Sequence, residues 1–291
     1  MIDSTGTTDS TGTTDSTGTT DSTGTTDSAD STDTAAAAAA TDADRPGAVV
    51  LVSGGMDSAT TAYEARERGY DLHFLHTSYG QNTETKEYDC AEALRDELGV
   101  PTDRFLHVET DHLARIGASS LTDVSMAVDD ADLDGAADDV PSSYVPFRNA
   151  NLLSMAVSYA EANGCEAVFV GAHSEDYSGY PDCRPEFFEA FERMVDVGTK
   201  PETAIDVIVP FVEDSKTDIA ERGAELGVPY ELTWSCYREE APACGTCDAC
   251  AFRLQAFQRI GIEDPIAYET RPDYTGDANS PGDAGDATPQ S

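Results

Sequence analysis

The chain has 291 residues and carries 17 basic against 56 acidic side chains, a formal net charge of −39. This acid-rich, lysine-poor composition is typical of proteins from salt-loving cells. Its field opposes binding of a long polyanion such as tRNA, although a local positive pocket can still hold one nucleotide. No run of about 18 apolar residues and no basic-then-apolar N-terminus occur, so neither a membrane span nor a secretory signal is predicted.

Both ends of the chain differ in composition from the middle. Residues 4–27 are four tandem copies of Ser-Thr-Gly-Thr-Thr-Asp, and a polar repeat without large apolar side chains buries too little surface to offset its ordering entropy. We therefore predict a disordered tail over 1–45, with a calcium-binding acidic repeat as the alternative, and a second disordered tail over 275–291. Between them we predict a main α/β domain over 46–230 and a cysteine-rich segment over 231–274.

The first half of the folded part alternates apolar strands with helices. An apolar run at 48–52 predicts a buried parallel strand, which a glycine turn connects to a helix over 58–68 that ends at Gly69. The next predicted elements are a strand at 72–77, a helix at 84–98 ended by Gly99 and Pro101, and a strand at 105–108.

The second half keeps the same alternation after an interruption. Residues 121–143 are acidic and weakly periodic, and we interpret them as an irregular excursion and a candidate lid. Alternating strands and helices indicate an α/β fold with a mostly parallel, doubly wound sheet, in which ligands bind outside the carboxyl ends of the strands. The predicted elements are a helix at 149–163, a strand at 167–170, a helix at 185–197, a strand at 205–209 and a helix at 215–226.

The turn after the first strand has the composition of a phosphate-binding loop. Gly54 and Gly55 let the backbone approach a ligand closely, and the helix that follows offers free amide hydrogens and its positive dipole end. Ser53 and Ser58 add hydroxyl donors, whereas Asp57 would repel phosphate unless it holds Mg²⁺ or fixes the loop. The chain has no Gly-Lys pair and no G-x-G-x-x-G after a strand, which excludes a Walker loop and a dinucleotide fingerprint. A tight strand-to-helix connection with a capping serine is the alternative.

Four of the seven cysteines are spaced like metal ligands. Cys236, Cys244, Cys247 and Cys250 provide four thiolates within a short segment, and four thiolates form a closed tetrahedral Zn²⁺ site without an open position. We therefore predict one structural zinc ion per chain, with a redox-active Cys244–Cys247 pair as the alternative. The odd cysteine count and this spacing favour a reducing cytoplasm. The other three cysteines, Cys90, Cys165 and Cys183, stand alone in the sequence. Cys90 and Cys165 are expected to be buried as small apolar side chains, and Cys183 lies in the segment described next.

A segment rich in polar and aromatic residues follows the predicted strand at 167–170. Residues 174–187 combine carboxylates, two tyrosines and an arginine before a helix that begins with proline. A loop of this kind at the carboxyl end of a strand is a candidate site for a flat heterocycle, and an ordinary surface loop is the alternative.

The run 53–58 reads Ser-Gly-Gly-Met-Asp-Ser and resembles the S-G-G-x-D-S loop of the PP-loop ATP pyrophosphatases, which include NAD and GMP synthetases, argininosuccinate synthase and tRNA-thiolating enzymes. The resemblance implies a PP-loop (HUP-like) fold with a C-terminal zinc-binding helical extension. It also implies a loop that grips the β- and γ-phosphates of ATP and leaves the α-phosphorus open to attack. The residues expected to bind ATP are Val52, Ser53, Gly54, Gly55, Met56, Asp57, Ser58, Ala59, Thr60, Thr61 and Ala62.

Further motifs occur in the order found in the 7-cyano-7-deazaguanine synthase (QueC) family, over 48–262. They are Tyr79-Gly80-Gln81, Val145-Pro146-Phe147-Arg148-Asn149, Asp176-Tyr177-Ser178-Gly179-Tyr180-Pro181-Asp182-Cys183-Arg184, Ser215-Lys216, and Ser235-Cys236-Tyr237 with the C-x-x-C-x-x-C end. One departure is Phe147, which stands where a small residue, often glycine, is usual in that family. It is expected to reshape the pocket wall.

This resemblance implies a ligase that forms C–N bonds and converts 7-carboxy-7-deazaguanine and ammonia to the nitrile with Mg-ATP. The acid and then the amide are activated, and the product serves archaeosine or queuosine biosynthesis. We expect Lys216 or Arg148 to neutralise charge on the reacting carboxylate or phosphate, with a surface salt bridge as the alternative for each. The remaining expected substrate contacts, with Asp176 also assigned to catalysis, are Asp176, Tyr177, Tyr180, Asp182 and Arg184.

Some of these expectations leave alternatives open. Asp176 and Asp182 either read the pyrimidine edge, hold a metal or cap a loop. Competing functions are a tRNA-thiolating PP-loop enzyme and a zinc-stabilised nucleotide-binding module without catalysis, which would bind ATP without releasing AMP or ADP. The partners expected are small molecules only, with no nucleic acid and no membrane, and the resemblance implies a cytoplasmic homodimer.

Overall fold

The computed structural model describes residues 45–123, 125–131, 133, 140–174 and 179–276. The two predicted tails, except for a few residues at their inner ends, lie outside the described residues, as do part of the candidate lid and the site residues Asp176 and Tyr177.

Strands and helices alternate along the described chain as the sequence predicts. The strands are β1 (Gly47–Leu51), β2 (Asp71–Ser78), β3 (Phe105–Glu109), β4 (Ala167–Phe169) and β5 (Asp206–Ile208). The helices are α1 (Met56–Glu67), α2 (Glu84–Leu98), α3 (His112–Ile116), α4 (Arg148–Asn163), α5 (Pro185–Gly198), α6 (Lys216–Leu226) and α7 (Asp248–Ile260).

The five strands form one parallel sheet in the order β3-β2-β1-β4-β5. The chain builds outward from β1 in one direction and then returns to its other side with β4, so the strand order reverses between β1 and β4. In open α/β sheets the carboxyl-end crevice at such a reversal is where ligands bind. The fold class predicted from the sequence is therefore confirmed, and the sheet topology adds the position of the site.

Apolar residues cover both faces of the sheet. Val49 and Val50 are adjacent in β1 and both fully buried, and they point into two different core clusters. The cluster around Val50 includes residues of α1, α2, α6 and α7, and the cluster around Val49 includes residues of α4 and α5. Alternating side chains buried on both sides make β1 the centre of the doubly wound sheet.

The cysteine-rich segment packs its helix into the main core. Ala256 and Phe257 of α7 belong to the same cluster as Val50, and the buried Arg253 of α7 forms a two-pronged ion pair with the buried Asp264, at 2.7 Å and 2.9 Å. This packing fixes the segment next to α1, which follows the loop described below, and next to α2, which packs against that loop. The division into domains at 230 stays a prediction. None of the helices in the described ranges is long and apolar enough to cross a membrane.

Candidate active site

A cavity of about 230 Å³ opens at the carboxyl ends of the strands. The loop after β1, the residues after β2 and β4, the start of α4 and the cysteine-rich segment all contribute to its wall. Its position outside β1 and β4 is the one that the strand order predicts for a ligand. The residues of the cavity used below are Val52, Ser53, Gly55, Asp57, Ser58, Tyr79, Gln81, Thr83, Glu87, Arg148, Tyr180, Cys183, Lys216, Trp234, Ser235 and Tyr237.

The loop between β1 and α1 depends on glycine at position 54. Gly54 has φ +83°, and a Cβ atom there would lie 2.3 Å from the backbone oxygen of Glu87 on α2. The first-turn amides of an α-helix have no intrahelical acceptors. In α1 the N-cap residue is Gly55, which has no side chain to accept from them. A loop that lies against α2 and ends in uncapped amides is suited to an anionic ligand.

Hydrogen bonds within the loop hold it in this shape. The Ser53 backbone N–H donates to Ser58 Oγ at 3.2 Å, and Ser58 Oγ donates to the Gly55 carbonyl oxygen at 3.0 Å. From outside the loop, the Trp234 backbone N–H donates to the Gly54 carbonyl oxygen at 2.8 Å. The cysteine-rich segment therefore contributes directly to the geometry of the loop.

A charge cluster lies beside the loop, in which Lys216 and His173 are buried and Asp57 is partly buried. Lys216 Nζ is 3.0 Å from Asp57 Oδ2, and His173 Nε2 is 3.7 Å from the same oxygen. Burial raises the pKa of Asp57, but the charges and hydrogen bonds of Lys216 and His173 outweigh that effect and leave its pKa well below the usual range. Asp57 is thus a carboxylate in the folded protein, and Lys216 pairs with it inside the molecule, not in a surface salt bridge. The other oxygen, Asp57 Oδ1, is buried without a hydrogen-bond partner among the described residues.

Only the first part of the predicted ATP-binding run faces the cavity. Val52, Ser53, Gly55, Asp57 and Ser58 line it. The remaining residues of the run, apart from Gly54, belong to the helix α1 and are buried. Met56, Ala59 and Ala62 are in the hydrophobic core, Thr60 bonds to Tyr230, and Thr61 Oγ1 donates to the Asp57 carbonyl oxygen at 2.8 Å.

Arg148 begins α4 at the opposite wall of the cavity. Its Nη1 donates to Tyr79 Oη at 3.0 Å, and the guanidinium lies 6.0 Å from the centre of that ring. Burial lowers the pKa of Arg148. Tyr79 and the neighbouring tyrosines Tyr237 and Tyr180 raise it by more, so the net shift of the pKa is upward. Arg148 forms no ion pair with a carboxylate of the described residues, so it presents a charged guanidinium to the cavity among tyrosines.

The segment after β4 divides into residues that face the cavity and residues that do not. Tyr180 lines the cavity, and its hydroxyl is 2.8 Å from Ser143 Oγ. Asp182 is buried and accepts a hydrogen bond from the Asn149 backbone N–H at 2.8 Å, which makes it a cap for the first turn of α4. Arg184 is exposed at the N-cap of α5 and does not line the cavity. Of the open alternatives for Asp182, the observed contacts favour capping.

Phe147 has an unusual backbone conformation. Its φ of +57° lies in the left-handed region that glycine adopts without strain, so a glycine would fit this position. The Phe147 ring is 60% exposed, packs edge-on against Phe187 and does not line the cavity. The structure therefore gives no support to the expected change in the pocket wall.

Glu87 lies in the wall of the cavity although no motif singles it out. Thr83 Oγ1 donates to Glu87 Oε1 at 2.7 Å, and Gln81 Nε2 donates to Glu87 Oε2 at 3.1 Å. Burial raises the pKa of Glu87, and this effect exceeds the lowering by Thr83, Gln81 and Arg148. The site therefore contains a second carboxylate that is more basic than the first.

The four predicted zinc ligands meet in one buried cluster. Their sulfur atoms all lie within 4.8 Å of one another, with Cys244 Sγ 3.9 Å from Cys250 Sγ. A tetrahedral site with Zn–S bonds of about 2.3 Å requires sulfur separations of about 3.8 Å, which this arrangement fits. Backbone N–H groups of Arg238, Glu239 and Cys244 point at Cys236 Sγ at 3.3–3.4 Å, and such bonds favour the thiolate that a metal ion needs. Cys90 and Cys165 are buried as expected, and Cys183 is buried too.

Two residues of the site escape sequence reasoning. His173 lies after β4 at the reversal of strand order, and knowledge of that order would have directed attention to it. Glu87 is on the helix α2, whose placement against Gly54 is a tertiary contact. The sequence alone does not show which polar residues face the glycine loop, so Glu87 could be identified only from the structure.

Comparisons with known proteins find relatives over the folded part of the chain. The model of the family described as queuosine biosynthesis protein QueC matches residues 47–261. A protein of Haloarcula marismortui named 7-cyano-7-deazaguanine synthase is 72% identical over 228 residues, which cover 78% of this chain and 97% of that protein. One of the same name from Halobacterium salinarum is 69% identical, over 78% of this chain and 98% of that protein. The solved NMN synthetase of Francisella tularensis is 15% identical, with a TM-score of 0.42 over 76% of this chain and 79% of that one, a likeness too low to bear on function.

Proposed function

The chain belongs to the queuosine biosynthesis protein QueC family, and on that premise we propose that it is a ligase that converts 7-carboxy-7-deazaguanine and ammonia to 7-cyano-7-deazaguanine with consumption of ATP. The observation that carries this proposal is the position of the cavity. In a chain 72% identical to a protein named for this activity, the cavity ends on an uncapped glycine loop with Lys216 beside it.

The loop and its neighbours are suited to hold a nucleoside triphosphate. We assign Ser53, Gly54, Gly55 and Ser58 to the phosphates, since uncapped first-turn amides and hydroxyl groups donate hydrogen bonds to anions. Lys216 supplies positive charge at the same place, already ordered by Asp57. Electrostatic groups that are fixed before the reaction stabilise developing charge without reorganisation.

The second half of the site would hold the acid. Arg148 presents a guanidinium without a carboxylate partner among the described residues, and guanidinium groups bind carboxylates strongly. Tyr180 lines the same wall and offers an aromatic face for a flat base. Asp182 supports this wall from behind as the cap of α4, and the roles predicted for Asp176, Tyr177 and Arg184 stay predictions.

The reaction that this arrangement supports is stepwise. A carboxylate is a poor electrophile, and attack of its oxygen on the α-phosphorus of ATP would give an acyl adenylate with pyrophosphate as the first leaving group. Ammonia then displaces AMP to form the amide, and a second activation of the amide oxygen, followed by loss of AMP, gives the nitrile. The protein's contribution is to place the reactants and stabilise charge.

Two metal ions belong to this proposal. The four cysteines would hold Zn²⁺ in a closed site whose chemistry is structural, since no coordination position is open to a substrate. Mg²⁺ would arrive with ATP, and the buried Asp57 Oδ1 without a hydrogen-bond partner is a suitable oxygen for it. The dimeric state, the cytoplasmic location and the absence of nucleic-acid partners stay predictions.

The test is product identification. Purified protein is incubated with 7-carboxy-7-deazaguanine, an ammonium salt and Mg-ATP, and the products are followed by mass spectrometry together with AMP, ADP and pyrophosphate. We expect the amide first and then the nitrile, with AMP and pyrophosphate. Nucleotide binding without product would support the non-catalytic module, and no amide or nitrile under any condition would contradict the proposal.

A further inference from the structure

Two described carboxylates line the cavity, Asp57 and Glu87, and they have different surroundings. Asp57 is paired with Lys216 at 3.0 Å. Glu87 forms no ion pair with any basic side chain of the described residues, and its contacts are a hydroxyl and an amide group. The proposed reaction leaves Glu87 without a role, although a partly buried carboxylate without a cation is costly to retain.

The contacts of Glu87 fix its orientation. Each carboxylate oxygen accepts one hydrogen bond, from Thr83 Oγ1 and from Gln81 Nε2. Gln81 is itself held, because its Oε1 accepts the Tyr79 backbone N–H at 2.8 Å. The backbone of Glu87 meets Gly54 so closely that no side chain fits between them. Glu87 is therefore held rigidly next to the phosphate-binding loop.

Ammonia is the co-substrate that such a carboxylate can serve. At neutral pH it is mostly the ammonium ion, which has no lone pair, so a base must remove a proton before nitrogen can attack. An anionic oxygen in a cavity wall that Tyr79 and Tyr237 also line attracts a small cation. Burial raises the pKa of Glu87, and a general base works best when its pKa is near the working pH. The charged and titratable groups near Glu87 are Arg148 of α4, Tyr79 after β2 and Glu84 of its own helix.

We propose that Glu87 is the catalytic residue that binds the ammonium ion and takes its proton, an inference that rests on the proposed function. One N–H bond of ammonium breaks, the proton moves to a Glu87 oxygen, and the freed lone pair forms the C–N bond at the carbonyl carbon of the acyl adenylate while the C–O bond to AMP breaks. A further N–H proton leaves the nitrogen to give the neutral amide. Before the nitrile step, Glu87 releases its proton to solvent. Adenylation of the amide oxygen is accompanied by loss of one N–H proton to solvent, and Glu87 then accepts the remaining N–H proton as the C–O bond to AMP breaks and the nitrile forms.

The experiment compares Glu87→Gln with Glu97→Gln, a control on the exposed side of the same helix. Two reactions are measured in each protein. Exchange of labelled pyrophosphate into ATP, with the acid present and ammonia absent, reports adenylation. Amide formation with ammonium reports the step assigned to Glu87. Glutamine keeps an oxygen and the size of glutamate, and retention of exchange shows that the variant is folded and binds both substrates.

We expect Glu87→Gln to keep exchange within a few-fold of the parent protein and to lose amide formation by roughly 10²–10⁴-fold. Part of the loss should be recovered at higher pH, where more ammonia is unprotonated. Glu97→Gln should match the parent protein in both reactions.

Three results would overturn the assignment. Amide formation by Glu87→Gln within about threefold of the parent protein would remove the base from Glu87. An equal loss of exchange and amide formation would make Glu87 a residue that positions the acid or the nucleotide. A raised KM for 7-carboxy-7-deazaguanine with unchanged kcat would show that Glu87 reads the pyrimidine edge instead. No exchange in the parent protein would contradict the adenylation step of the proposed function, which is a distinct failure.

Discussion

The buried pair of Asp57 and Lys216 makes a prediction that stability measurements can test. At 3.0 Å, two unit charges attract with about 5 kcal/mol at an effective dielectric constant of about 20. Desolvation offsets much of this, but removing one partner strands the other as a buried charge, which costs about 3–5 kcal/mol. We therefore expect Lys216→Met to lower the free energy of unfolding by about that amount, and Asp57→Asn to do the same.

The double variant separates the pair from other effects of each substitution. With both charges removed no buried charge is stranded, so Asp57→Asn with Lys216→Met should be less destabilised than the sum of the two single variants, by about 1–3 kcal/mol. The assay is unfolding by urea in molar KCl. Urea is uncharged, so adding it does not change the ionic strength during the titration. KCl screens the self-repulsion of this acidic chain. The pair is buried, so this coupling should change little with salt. Additive losses, or a loss below about 1 kcal/mol for Lys216→Met, would refute the reasoning.

Three further changes have expected outcomes. Gly54→Ala forces a left-handed residue against the Glu87 backbone, so we expect a loss of about 2 kcal/mol or more in unfolding free energy and weaker ATP binding by calorimetry. Burial is the largest cause that lowers the pKa of His76 to about 4, while its Nδ1 bonds to the Val52 carbonyl oxygen. Between pH 6.5 and pH 4 the unfolded chain therefore binds a proton on His76 that the folded chain does not, and the free energy of unfolding should fall by about 3 kcal/mol. In urea unfolding at each pH, His76→Asn should lack this contribution to the pH dependence. Cys247→Ser removes one of four thiolates, so we expect loss of zinc in elemental analysis and a lower Tm.

The sequence predicts elements well where local signals begin and end them. The helix over 84–98 is observed with the predicted bounds, because Gly99 takes the left-handed conformation that ends it. The first helix begins at Met56, two residues before the prediction, because Gly55 takes the capping position that was assigned to the turn. The short helix at His112–Ile116 was not predicted, since five residues are too few to show helical periodicity.

Only the parts of the candidate site that lie close together in the sequence were predictable. Residues 53–58 form a turn and the four cysteine sulfur atoms form a cluster, and both are local sequence patterns. The pairing of Asp57 with Lys216 joins the first helix to the sixth, which no spacing rule can anticipate. The same holds for Asp182, whose carboxylate appears in a motif as a ligand-binding group and in the structure caps a helix elsewhere in the chain.

The cysteine cluster is connected to the cavity wall through the backbone of residues 234–236. Cys236 accepts three backbone N–H groups on its sulfur, and its own carbonyl oxygen lies 3.3 Å from Thr83 Oγ1, the hydroxyl that donates to Glu87. Two residues earlier, Trp234 donates its backbone N–H to Gly54 of the phosphate-binding loop. A metal ion on the four sulfurs would therefore fix the backbone of 234–236, which contacts both the loop and Thr83, the residue that donates to Glu87. The segment is part of the active-site wall, which is why its helix is packed into the main core and not attached at the surface.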